Sequence, residues 1–440
     1  MRRVAVIGGG FAGLAAGVAL AERGIEVTLL EARPRLGGRA YSFRDEATGT
    51  VVDNGQHAMM GCYRETLAFL ARIGAQRKVL RQRDLRVDMI DPRRGRGTIA
   101  GARLPGPLHM LGAVLGYRLL TRPERLRALA AGVRLLAMQR RRDPWLREAT
   151  VEALLRRLGQ SANACASFWH PIAIATLNET PERAAAAPFA EVLARAFFGS
   201  RAASQFVLPA VGLSDLYTDD ARGHLERHGG RVECHAIVEA LECTEGRVAG
   251  VRLRDGRRLA TDAVVSAVPP RALAAILPAA ARPALGVEAL AGFEPSPIVS
   301  AHLWYDGPVL PGPFVGLIGT TTHWLFDRTL LVGATDGDRC VSAVISGSRE
   351  VASWETARIA RAVDADVRAV APAARLRRAV VVKEKEATIA PTPAFERRRP
   401  PTVTPFPNLM LAGDWTDTGL PPTIESAVVS GHRAAAALSA

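Results

Sequence analysis

At 440 residues, with 48% hydrophobic and 23% charged residues, the chain is long enough for two domains with sizeable cores, and its composition excludes a disordered protein. Lys+Arg 57 against Asp+Glu 43 gives a net charge of +14 carried almost wholly by arginine, because Lys78, Lys383 and Lys385 are the only lysines. That excess favours an anionic partner such as a phospholipid surface; nucleic acid is set aside for want of a motif, and no apolar run of about 18 residues is present to span a bilayer.

The chain opens as a βαβ unit. An apolar strand at 4–7 runs into Gly8, Gly10 and Gly13, with Phe11 and Ala12 between them, then a helix at 14–23 and a strand at 26–31. The first glycine allows a tight turn, the second lets a pyrophosphate approach the backbone, and the third lets helix and strand pack closely. The phosphates then lie at a helix N-terminus. Glu31 ends the second strand, where a carboxylate bonds ribose hydroxyls and disfavours a 2′-phosphate, so FAD or NAD is preferred to NADP. The glycines interrupt the apolar stretch after Arg2 and Arg3, which therefore does not read as a signal peptide.

Helical spacing resumes at 62–75, where Leu67, Leu70 and Ile73 share a stripe. Beyond the breaker cluster at 104–107 comes a long helix with Leu126, Leu129, Val133 and Leu136 on one face, arginines around it, and Trp145 just past its end. It reads either as a surface helix packed on a core or as a basic amphipathic element in a membrane interface. A helix at 213–227, a turn at Gly229 and Gly230, and a strand at 232–241 follow. Turns at Glu245-Gly246 and Asp255-Gly256 then mark a hairpin, and a buried strand at 263–268 stops at Pro269 and Pro270. Residues 285–395 alternate as strands, with one helix at about 354–370. Cys62, Cys165, Cys234, Cys243 and Cys340 are scattered, so neither a disulfide framework nor a metal site is expected, and a reducing cytosol fits best.

Near the C-terminus stand Gly413 and Asp414, then Thr423, Ile424, Glu425 and Ser426 at what reads as a helix start. The run from Glu31 through Ala32 and Arg33 to Gly37, Gly38 and Arg39 resembles the E-x(6)-GGR signature of the flavin amine oxidase and phytoene desaturase superfamily. That resemblance implies an α/β fold and FAD as cofactor. The FAD-binding domain would be Rossmann-like (GR2-type) and discontinuous, over 1–85, 196–284 and 396–440. An α+β substrate-binding domain would take 86–195 and 285–395, with 86–195 its helical part and a candidate membrane-facing element. It further implies that Arg39 lies near the pyrophosphate and flavin, and that Gly413 and Asp414 bind the ribityl and pyrophosphate. Gly55, Gln56, His57 and Val238 join them as cofactor contacts, and the helix start at 423 would face the flavin N1/C2=O edge.

A narrower resemblance rests on 52–65 (VDNGQHAMMGCYRE), 168–178, 382–388 and 416–421. These segments look like the hydroxysqualene dehydroxylases of bacterial hopanoid pathways. What that family implies is reductive removal of the hydroxyl of hydroxysqualene, a long apolar isoprenoid, with reduced FAD as hydride donor. His57 is then the first candidate for the acid or a flavin-edge contact, with a structural histidine bonding backbone as the alternative. His170, beside Trp169, is the second candidate, and Asp53 orients its loop. A carotenoid-type desaturase shares every FAD motif. Amine oxidation fits less well, since Thr423 stands where those enzymes carry an aromatic. A non-catalytic isoprenoid carrier is disfavoured by the joint presence of Glu31, Arg39 and Asp414. No second nucleotide fingerprint identifies the electron donor, and a cytoplasmic protein, peripheral on the inner face of the cell membrane, is the expected placement.

Overall fold

The computed structural model describes residues 2–333 and 339–439. A parallel five-stranded sheet is assembled from distant stretches in the order Arg231–Glu233, Glu26–Leu30, Arg3–Ile7, Ala263–Ser266 and Leu409–Leu411. Its central strands are near-continuous apolar runs because both faces are covered, one by helices and the other largely by a β-meander over 238–260, which removes the polar half of the usual alternation. Every residue of the helix Phe11–Ala21 is buried. It packs against the C-terminal helix Ile424–Ser439 at Gly431, where a Cβ would fall 2.3 Å from the Ala12 carbonyl oxygen.

A second, seven-stranded sheet runs Leu376–Ile389, Pro295–Tyr305, Arg339–Ser346, Trp324–Asp327, Phe314–Leu317, Arg86–Asp91 and Gly95–Ala100. Among the described residues its pairings are antiparallel except that between Phe314–Leu317 and Arg86–Asp91. The helix Thr356–Val370 covers one face through Ile359, Val363 and Val367. Helices between His109 and Phe197 pack towards the other, sharing a core with Phe314, Phe326 and Val344. A small sheet of Met59–Met60, Phe206–Pro209 and Val79–Arg81 sits between the two layers' segments.

Three expectations change. The strand expected at 232–241 is two strands, because His235 adopts φ 57° and the His235 and Ala236 N–H groups bond the carbonyls of Arg33 and Glu31. Only Arg231–Glu233 joins the parallel sheet; Val238–Thr244 opens a separate three-stranded meander. The hairpin at 86–100 lies in a stretch read as helical, because Arg86, Arg93, Arg94 and Arg96 obscure the inward alternation of Val87, Met89 and Asp91. Finally, the helix Arg122–Arg140, started by a Thr121–Glu124 capping box, packs through Ala128, Ala131, Gly132 and Leu135. The larger apolar stripe is not its packed face: Leu126 is 63% and Val133 65% exposed. Small residues face inward because they let the helix lie close, as at Gly132, where a Cβ would come 3.1 Å from the Phe198 ring.

Candidate functional site

The glycine turn after Arg3–Ile7 forms a cradle. Gly8 has φ +107°, and a Cβ on Gly13 would lie 1.8 Å from the Gly8 carbonyl oxygen, so turn and helix meet only without a side chain there. Gly10 differs, since its Cβ would find nothing nearer than Gly38 Cα at 3.8 Å. The helix that follows has no side-chain cap and no acidic residue in its first turn, so no carboxylate competes for N–H groups that favour a phosphate. Phe11 stacks on Tyr217 at 3.7 Å, fixing the helix start, and Ala12 is buried beside it. The buried Glu31 carboxylate accepts from Gly9 N–H at 2.7 Å and Arg33 N–H at 2.9 Å. Exposed Ala32 and buried Val238 flank this end, where the 235–236 backbone runs against 31–33.

The two termini meet here. Arg39 Nη2 donates to Asp414 Oδ1 at 2.6 Å, and the Asp414 charge holds the guanidinium more firmly protonated. Gly37 and Gly38 have φ +113° and +57°, which folds their loop back over the glycine turn. Gly413 donates its N–H to Ser430 Oγ at 2.7 Å. Behind it the buried Arg399 donates to the carbonyls of Asp414 (2.9 Å) and Thr416 (2.6 Å), shaping the closing loop. Thr423 Oγ1 accepts from Ser426 N–H at 3.3 Å, and so caps the helix that Ile424 begins. Ser426 Oγ bonds Thr418 Oγ1 at 2.6 Å. Glu425 turns to another helix, accepting from the N–H groups of Glu65 (3.0 Å) and Thr66 (2.9 Å) at the start of Arg64–Arg72. Ser266 Oγ, fully buried in the strand's last position, has no partner among the described residues. A positive-φ glycine cradle, a bare helix N-terminus, a fixed carboxylate and an orphaned hydroxyl fit a bound dinucleotide, and the residues around Asp414 and Thr423 fit its flavin end.

Asp53, wholly buried, carries the next segment. Its Oδ1 accepts from Ser42 Oγ (2.7 Å) and Leu213 N–H (2.9 Å), while Oδ2 takes Arg328 Nη1 at 2.6 Å. The same guanidinium donates to Gln56 Oε1 and the Val51 carbonyl, both at 3.0 Å. His302 Nε2–H donates to the Asp53 carbonyl at 2.8 Å, and burial lowers its pKa to about 4, so it is a neutral prop. His57 therefore sits on a clamped loop beside buried Gly55. Its Nδ1–H donates to the Gly55 carbonyl at 2.7 Å, and burial lowers its pKa. Arg328, Arg399 and His302 are residues that no motif singled out.

Three residues past His57, Met60 lines an apolar cavity of about 260 Å³. Its walls come from Val87 and Met89 of the second sheet, Phe168 and Trp169, Phe206, and the helix face at Leu129 and Gly132. Among the described residues no charged side chain lines it; Ser167 and Thr176 are among its few polar groups. At one side stand Leu108, Leu111 and Val133, exposed to solvent as well as lining the space. His170 lies outside this wall, its Nε2 2.9 Å from Glu152 Oε2. Thus Gly8 to Arg39 and Gly413 to Ser426 converge, His57 stands on the loop that leads to the cavity, and His170 is set apart.

Residues 11–439 match the profile of the flavin-containing amine oxidoreductases. The chain is 32% identical to a hydroxysqualene dehydroxylase of Rhodopseudomonas palustris over 99% of its own length and 97% of the relative's. It is 24% identical to a 15-cis-phytoene desaturase of Synechococcus elongatus, covering 100% and 96% of the two chains. Among solved structures, an oxidoreductase from Methanosarcina mazei superposes with a TM-score of 0.77 at 16% identity, over 98% of both chains, and shows the shared fold.

Proposed function

The chain belongs to the flavin-containing amine oxidoreductase family as an FAD-dependent oxidoreductase of its hydroxysqualene dehydroxylase branch, and on that premise we propose that it reductively removes the hydroxyl of hydroxysqualene to give squalene. The observation that carries this reading is the uncharged cavity lined by Met60, three residues past His57. A protonated amine brought there would lose its water without gaining a carboxylate, whereas an isoprenyl chain gains about 0.8 kcal/mol for each methylene it buries. FAD, when reduced, supplies the hydride that replaces the departing oxygen at carbon.

The chain's own residues handle binding and the proton. Apolar walls keep out water, which would otherwise capture an allylic cation. We assign the proton to His57. Its Nδ1–H is held by Gly55, so the ring must first take a second proton from solvent at Nε2. That imidazolium Nε2–H then passes to the hydroxyl, which leaves as water, and the neutral Nδ1–H ring remains. A ring whose charged form burial disfavours surrenders its proton readily. The domain division expected over 1–85, 196–284 and 396–440 against the remainder is retained in this proposal. The parallel sheet then holds the cofactor, and the seven-stranded sheet with its helices holds the substrate. Anaerobically reduced enzyme mixed with hydroxysqualene is expected to reoxidise its flavin and yield squalene in equal amount, while phytoene leaves it reduced. A flavin that stays reduced with hydroxysqualene overturns the reading.

The proposal extends to a membrane surface as the route of substrate entry. Leu108, Leu111 and Val133 line the cavity and are exposed. Leu104, Leu115 and Leu126, near them in the chain, are exposed too, with Arg122 and Arg134 exposed on the same helix as Leu126 and Val133. Such an apolar patch edged by arginine suits an anionic bilayer interface. The protein is expected to float with anionic liposomes, and Leu126→Asp with Val133→Asp to reduce flotation severalfold without loss of flavin. Equal flotation of variant and wild type would remove this surface from the proposal. No helix among the described residues is long and apolar enough to cross a membrane.

A further inference from the structure

We propose that Glu152, Cys165 and His170 form a binding site for a zinc-class transition-metal ion behind the cavity wall. One ligand atom from each lies within 4.8 Å of the others, the nearest pair being Glu152 Oε2 and His170 Nε2 at 2.9 Å. Ligand atoms around a tetrahedral zinc stand roughly 3–4 Å apart, given bond lengths of about 2.0–2.3 Å, so side-chain rotation alone closes the set. Thiolate, imidazole and carboxylate together select a borderline cation over magnesium or calcium, and three ligands leave a fourth position for water.

The backbone supplies a second, independent reason. In an α-helix, positions five apart diverge by about 140° around the axis, which would turn Cys165 away from His170. Here Cys165–Trp169 forms a π-turn, closed by the His170 N–H bonding the Cys165 carbonyl. The wider turn brings Cys165 and His170 to one face, against Glu152 on the helix Val151–Arg157. Such turns are uncommon and concentrate at functional sites. Cys165 is buried beneath half-buried Glu152 and His170, so the soft ligand lies deepest and the ion enters from solvent. Arg156 approaches Glu152 at 3.8 Å, but its side chain is 79% exposed and can swing away.

Burial pushes the Cys165 thiol up to about 11, so ligation expels its proton to solvent as the Zn–S bond forms. An ion here pins Val151–Arg157 to the turn whose Phe168 and Trp169 line the cavity. This site does not depend on the substrate assigned above.

Calorimetric titration of chelator-stripped, FAD-loaded enzyme with zinc chloride, in two buffers of different ionisation enthalpy, tests it. The expected result is one ion per chain, with proton release revealed by the buffer dependence. Cys165→Ser is expected to weaken binding by at least about tenfold and abolish that proton release, and His170→Ala to weaken it similarly, both with flavin content unchanged. Cys243→Ser, on the distant meander, should titrate as wild type. Absence of stoichiometric binding by wild type, or wild-type affinity in Cys165→Ser, overturns the proposal.

Discussion

Arg328→Met is expected to destabilise the folded protein by about 3–5 kcal/mol, because it removes one partner from a buried ion pair and leaves the other charged. Arg328 is 3% exposed and Asp53 wholly buried, with 2.6 Å between them, so the carboxylate that loses its partner stays out of bulk solvent. The same substitution releases Gln56 and the Val51 carbonyl, so the loop that places His57 loses its clamp along with the stability. Urea unfolding of FAD-loaded protein measures the first effect, and flavin-reoxidation rate with substrate the second. Asp53→Asn keeps an acceptor for Ser42 and Leu213, and its loss should be smaller. The double variant should recover part of the sum, since each single change strands a buried group that the other removes. Strict additivity would mean that the two residues act separately and would sink this account.

Much of the cofactor layer was legible because its constraints are local. A Cβ at Gly13 meets Gly8, five positions away, and Glu31 meets Gly9, so spacing alone carries the geometry. The helix at 213–227 also stands where its period placed it. Arg39 and Asp414 were read as parts of one site, but their direct contact joins positions 375 apart and no local pattern encodes it. Arg399 shows the limit more sharply. It follows Arg397 and Arg398 in what looks like a solvated basic run, yet it is buried and organises the loop after Asp414. Charge runs do not reveal which member turns inward. On the helix Arg122–Arg140 the signal misled in part, because of the bulky apolar residues that suggest a core face Leu126 and Val133 are exposed, while Leu129 and Leu136 are only half-buried. Burial there follows the close approach allowed by Ala128, Ala131 and Gly132.

Gly13→Ala and Gly10→Ala are expected to abolish flavin binding for different physical reasons, and the difference is measurable. At Gly13 the obstacle is the protein. A methyl 1.8 Å from the Gly8 carbonyl oxygen and 3.3 Å from Ala267 Cβ cannot be relieved by a rotamer, so the helix start must move off the sheet. Overpacking of this kind costs about 1–3 kcal/mol or more, and it displaces the N–H groups that would receive the pyrophosphate. The flavin-free form of Gly13→Ala should therefore melt well below flavin-free wild type. At Gly10 the backbone is extended (φ −85°, ψ −174°), and among the described residues beyond its own turn the nearest atom to the added methyl is Gly38 Cα at 3.8 Å. Its flavin-free form should unfold within about 1 kcal/mol of wild type, the usual range for a changed helix cap. It should nevertheless purify without yellow colour, because the methyl occupies the space through which a pyrophosphate approaches the turn. Full flavin content in Gly10→Ala would place the phosphates elsewhere on this helix.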